Sequence, residues 1–424
     1  MRRLSSTSLR AIALSATLPL ALATGCASPD GGRAATPSST PAPEPTEVGG
    51  SAPRLALTYD GGLLVLDATT LEVLADEPLE GFNRLNPAGD GRHFLVSTQG
   101  GFRLLDGGAW GEPHGDHSHH YTAEPQLTDV LFEAEKPGHV VAHAGRTVLF
   151  DDGTGQVTAV DSAELADPDR ELEQFTTPAA HHGVAVELAD GSVLVSDGTE
   201  EERSGVRILD ADGNELTARD DCPSVHGETV AAGEAVVIGC QDGAVLYTGG
   251  ELTKIQSPDG YGRIGNQFGT EASPIVLGDY ERSAEDRSRT VALIDTTTAE
   301  LRLLDLPAPY WYQSFDRGPD GEGLVLTYDG DLQVIDVVSG TVTRSIPVTG
   351  PWEESDDWQD PHPQVVVVEG MAYVTEPATK QVHAVDIEGG EVWKSADLEV
   401  TPNELSGVSG DAEAHSDHEH EDDE

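Results

Sequence analysis

Leu57-Thr58-Tyr59-Asp60-Gly61 and Leu326-Thr327-Tyr328-Asp329-Gly330 lie at opposite ends of the chain, and each runs into a β-rich segment that closes on aspartate. Those segments are Leu63-Leu64-Val65-Leu66-Asp67 and Leu332-Gln333-Val334-Ile335-Asp336. The same signature recurs at Phe102–Asp106, Thr147–Asp151, Val206–Asp210, Val291–Asp295 and Val382–Asp386, while Ala244-Val245-Leu246-Tyr247 carries Tyr in the acidic position. Eight copies across residues 53–408 give a period of about 44, the length of a repeat with several strands, as in a β-propeller. No window holds an i, i+3, i+4 apolar face. One unit divides into four strands: His182–Asp190, Ser192–Ser196, Val206–Asp210 and Glu215–Arg219. Asp190-Gly191 and Asp212-Gly213 supply the tight turns between them. Residues 54–80 provide only three strands, so the missing inner strand is expected from Thr401–Val408, which would close the ring and leave no free sheet edge. The fold class expected is all-β, a single propeller over residues 53–408 with eight blades, or seven if one unit is a decorated loop.

The ends of the chain read differently. Arg2, Arg3 and Arg10 precede an apolar run from Ala11 to Ala23, which meets Leu22-Ala23-Thr24-Gly25-Cys26. That is a secretory signal over residues 1–25 with a lipobox, predicting lipidation of Cys26 and anchorage on the outer face of the cell membrane. Residues 26–52 are rich in Ala, Pro, Ser, Gly and Thr and read as a disordered tether. Residues 409–424 form an acidic tail with His415, His418 and His420, also expected to be disordered. Export makes a Cys222–Cys240 disulfide the default expectation, with a metal–thiolate pair as the competing reading.

With 24 Lys and Arg against 76 Asp and Glu, the formal charge is −52. Such a field repels nucleic acid and anionic lipid, so contact with the membrane is expected only through the lipid on Cys26. It attracts cations, although adaptation to high salt would produce the same composition.

The 15 histidines are unevenly placed. His114, His117, His119 and His120 fall within Glu112–Tyr121, together with Asp116. Aligned on the unit at 206–226, this stretch is expected in the loop that crosses to the next inner strand. His181-His182-Gly183 and Val225-His226-Gly227 open the inner strands of neighbouring blades, placing His182 and His226 side by side, with the His114–His120 loop reaching over them. Imidazole and carboxylate without free thiol suit Zn²⁺ better than Ca²⁺ or Mg²⁺; copper and nickel share the ligand type. Expected metal ligands are His117, His119, His182 and His226, with Asp116 as ligand or orienter, and His114, His120 and His181 as transfer ligands. His93, His139, His143 and His383 read as structural, and His362 opens an inner strand on the far side of the ring.

The motifs His-Gly-Asp-His-Ser-His-His-Tyr at 114–121, His-His-Gly-Val-Ala-Val at 181–186 and Cys-Pro-Ser-Val-His-Gly-Glu at 222–228, with Gly239-Cys240 following, resemble the AztD family. The resemblance implies an extracytoplasmic zinc metallochaperone that hands Zn²⁺ to the solute-binding protein of a zinc ABC importer, and a flexible His-rich segment that helps to move the ion. The His-rich tail at the C-terminus leaves the identity of that segment open. A monomer is expected, and catalytic activity is not, because the chain carries neither a His-Glu-x-x-His motif nor a Gly-x-Ser-x-Gly elbow to support catalysis. The alternatives are a metal-independent scaffold for envelope proteins and a divalent-ion hydrolase.

Overall fold

The structure, a computed structural model, describes residues 45–115, 117–284 and 288–411. The signal segment 1–25, the lipidation site Cys26, Asp116 and tail residues 412–424 lie outside the described residues. Among those described, the only helical element is a 3₁₀ turn at Ser162–Glu164, and no helix is long and apolar enough to cross a membrane.

Eight sheets follow one another along the chain, each with four antiparallel strands, and in the fifth Gly262–Arg263 adds a short parallel strand beside Asp242–Thr248. Their inner strands, in blade order, are Leu405–Val408, Arg84–Pro87, Pro137–His143, Ala185–Glu187, His226–Ala231, Gln267–Thr270, Tyr310–Arg317 and Val365–Val368. Strand character depends on depth in the blade. Gly62–Asp67 is buried on both faces and reads as an unbroken apolar run, whereas the outer strand Glu391–Asp397 alternates exposed and half-buried residues. Eight apolar clusters pack between successive blades. One joins Leu55, Leu57, Leu64 and Leu66 of blade 1 to Val368, Tyr373, Val382 and Ala384 of blade 8, so the series closes into a ring. The closing strand is the one expected. Leu405–Val408 pairs with Arg54–Leu57 in the register Arg54↔Val408 and Leu57↔Leu405. Eight blades are present.

Three local assignments differ from the sequence reading. Thr147–Asp151 lies in the second strand of blade 3, Arg146–Asp151, and the third is Gln156–Asp161. Both are β-rich and end in Asp, so composition does not separate them. The stretch Trp110–Gly115 is no outer strand. Ala109–His114 and His117–Thr122 form a β-hairpin inserted into blade 2, whose fourth strand is Gln126–Glu133. Thr46–Val48, within the stretch read as tether, is a strand paired with His120–Thr122 and completes a three-stranded sheet with the hairpin.

This insertion determines where the histidines lie. In an antiparallel blade the inner strand runs from a leading face to a trailing face, and the third strand ends on the trailing face too. Asp106, at the end of the third strand of blade 2, pairs with His93, just past the turn that follows the inner strand. The hairpin therefore springs from the trailing face. His182 and His226, which precede or open inner strands, stand at the leading face.

Candidate metal centre

Three imidazoles converge at the leading face: His139, His182 and His226. Ring centroids are 5.1 Å apart for His139–His182, 5.2 Å for His182–His226 and 5.8 Å for His139–His226. One nitrogen from each lies within 4.8 Å of the others. They come from blades 3, 4 and 5, and the meeting depends on the shortness of the inner strand of blade 4, only Ala185–Glu187. Blades 3 and 5 bridge in front of it through His139–Glu228, and again at the trailing end through His143–Glu234 at 2.9 Å.

Each ring is held from behind through Nδ1. His182 Nδ1 lies 2.5 Å from Asp152 Oδ2, and His226 Nδ1 donates to the Gly265 carbonyl at 2.6 Å. His139 Nδ1 lies 3.1 Å from one carboxylate oxygen of Glu228 and 2.9 Å from the other. Binding Nδ1 fixes the tautomer and leaves Nε2 as the donor, the arrangement that orients histidines on a metal. The His-Gly pairs have a steric basis. A Cβ at Gly183 would meet the Phe150 ring at 2.3 Å. Gly227 has φ +71° and sits where a Cβ would be 2.4 Å from the Gly265 carbonyl, the same group that holds His226. Burial, followed by the nearby His139, drives the His226 pKa down to about 2, so this ring is neutral and ready to coordinate. Burial also works against a charge on His139, but the Glu228 carboxylate outweighs it and raises that pKa.

A second trio lies on the hairpin. His114, His117 and His119 have ring centroids 5.1–5.4 Å apart and one ligand atom each within the same 4.8 Å. His114 and His117 are exposed; His119 Nδ1 is 2.8 Å from Glu47 of the added strand. Arg92, stacked 4.0 Å over Trp110, and Trp110 stacked on Tyr121 hold the hairpin against its blade.

The expected eight-residue cluster is thus divided. His182 and His226 are neighbours as read, but His117 and His119 stand at the opposite face, because their segment is an insertion after a third strand and not a crossing loop. His181 is buried with both nitrogens engaged, Nδ1 at the Ala179 carbonyl and Nε2 at Ser196 Oγ, each at 2.9 Å, so it has no free donor for an ion. His120 sits 3.3 Å from Asp411 and outside the hairpin trio. His139, read as structural, takes the third position at the leading face; its signal is Gly138-His139, the His-Gly pair in reverse order. His93, His143 and His383 pair with Asp90, Glu234 and Glu376, as structural histidines do, and His362 is buried against Trp311. Cys222 and Cys240 form a disulfide.

No family model matches the chain. It is 26% identical over 366 residues to the zinc chaperone AztD of Citrobacter koseri, spanning 82% of this chain and 85% of that protein. The crystal structure of Citrobacter koseri AztD superposes with a TM-score of 0.76 at 23% identity, covering 86% of this chain and all of that one. The apo structure of the same protein gives 0.74 at 23% identity, with 85% and 98% covered. At that identity the superpositions speak for the fold. In sequence over four-fifths of its length, and in fold over the same span, the chain is similar to the zinc chaperone AztD.

Proposed function

We propose that this protein is a zinc metallochaperone of the cell envelope, which takes Zn²⁺ as cargo at His139, His182 and His226 and passes it to the solute-binding protein of a zinc ABC importer. The observation that carries the reading is the common geometry of the three rings: each Nδ1 is tied to a carboxylate or carbonyl, and each Nε2 is left for the ion. Three imidazole nitrogens suit Zn²⁺ in a tetrahedral site with one position open, and they disfavour Ca²⁺ and Mg²⁺, which require oxygen. An open position is what a carrier needs, since a partner's ligand can enter before the protein's own ligands leave. The exposed trio His114, His117 and His119 serves as a second, weaker collecting site. Lipidation at Cys26 would hold the monomer at the outer face of the membrane, and the Cys222–Cys240 disulfide accords with an oxidising compartment.

Chelator competition on the full chain tests the binding step. The wild type should hold one tight Zn²⁺, and His182→Ala or His226→Ala should weaken it at least 100-fold. His117→Ala should remove only a weaker site. Tight binding that survives loss of His182 and His226 would sink the assignment. Mixing the zinc-loaded protein with the apo solute-binding protein and measuring metal on each tests delivery.

A further inference from the structure

In a chain with 24 basic and 76 acidic residues, the leading-face histidines are flanked by arginines. Arg263 lies within electrostatic reach of His226, and Arg203 within reach of both Arg263 and Asp152, the carboxylate that holds His182. Arg263 packs its guanidinium against Gly265, whose carbonyl holds His226. Arg203 opens the third strand of blade 4 beside His181.

Three arginines elsewhere in the ring are doubly paired with carboxylates. Arg92 meets Asp106 at 2.9 and 2.7 Å, Arg146 meets Glu187 and Glu173 at 2.8 and 2.7 Å, and Arg219 meets Asp221 at 2.9 and 2.6 Å. The pair near the histidines is not. The carboxylate nearest Arg263 is Glu281 at 3.9 Å, and the half-buried guanidinium of Arg203 has no hydrogen bond or ion pair among the described residues. Two under-paired cations beside a cation site oppose the metal. Their arrangement makes physical sense if a negative ligand arrives with the ion or after it.

We infer that Arg203 and Arg263 are positioning residues that draw a carboxylate into the open coordination position of the metal held by His139, His182 and His226. The guanidinium donors would fix one carboxylate oxygen while the other meets the metal, the bidentate recognition for which Arg is suited. The carboxylate can be a free small acid or an Asp or Glu side chain on a protein. This inference rests on the metal-binding reading above.

Cobalt(II), which absorbs visibly in a tetrahedral site, is the probe. The full chain is loaded with Co²⁺ and titrated with acetate, and in a second arm with a blocked Gly-Asp-Gly peptide against its Asn counterpart. The wild type should change its visible spectrum with acetate. A response to the Asp peptide at lower concentration assigns the position to protein carboxylates; an acetate response alone assigns it to small acids. In Arg203→Gln/Arg263→Gln the carboxylate response should weaken at least tenfold, while Co²⁺ itself binds several-fold more tightly because two repelling charges are gone. Arg203→Lys/Arg263→Lys should restore part of the response and guards against a folding defect. A spectrum indifferent to both carboxylates, or an equal response in the Gln variant, overturns the inference. Failure of the wild type to take up Co²⁺ overturns the metal reading beneath it.

Discussion

Glu228 reaches across the short inner strand of blade 4 to hold His139, and the pair tests how the site is tuned. Glu228→Gln keeps an acceptor for Nδ1 but removes the charge that makes the ring a better donor. Zinc affinity should fall about 10- to 100-fold in chelator competition, the usual cost of losing a metal ligand's carboxylate partner. His139→Ala should cost more, and His143→Ala, four residues along the same strand and paired with Glu234, should leave affinity unchanged. Equal losses at 139 and 143 would mean that the strand, not the ring, matters. At this scale the sequence is half legible. His182 and His226 announce themselves because the backbone next to each admits only Gly, so the His-Gly pair repeats. His139 does not, because its Gly precedes it and because the blade-3 repeat, anchored on the wrong strand, hides where the inner strand begins.

The element that presents His226 is the crossing from blade 4 to blade 5, and the disulfide fastens it. Cys222 lies in that crossing and Cys240 ends the second strand of blade 5, with a sequence separation of 18. Opening a loop of that size costs about 2–4 kcal/mol of stability. Cys222→Ser/Cys240→Ser should therefore melt lower and also bind zinc more weakly, since the segment carrying His226 is freed. A variant that melts lower but binds zinc normally would show that the strand alone fixes the ring. The pairing was legible because only two cysteines follow Cys26. The hairpin at Ala109–Thr122 was not. An inserted pair of strands has the same alternation and length as the blade strand it displaces, and only the later Gln126–Glu133 reveals the extra pair.

Closure of the whole ring brings acidic groups into the axial channel, where a cavity of about 320 Å³ is lined by Arg84, His139, Glu228, Asp316 and Glu404 among others. Asp316 links two blades: its carboxylate accepts from the Arg317 amide at 2.7 Å and from the Val367 amide of blade 8 at 2.5 Å. Burial raises its pKa from 3.8 to about 6, against the pull of those amides and of the Arg317 charge. The folded pKa exceeds the unfolded one, so the folded protein binds this proton more tightly. The stabilisation is complete below pH 4 and is lost as pH rises through 6, a change of about 3 kcal/mol from this one group. Surface repulsion from 52 net negative charges varies over the same range, and about 1 M salt, with a screening length of about 3 Å, suppresses it. In that salt, Asp316→Asn should lose stability relative to the wild type at pH 4 and recover most of the difference by pH 7, read from denaturant midpoints. Parallel pH profiles for the two proteins would show that Asp316 ionises in the ring as freely as in the unfolded chain.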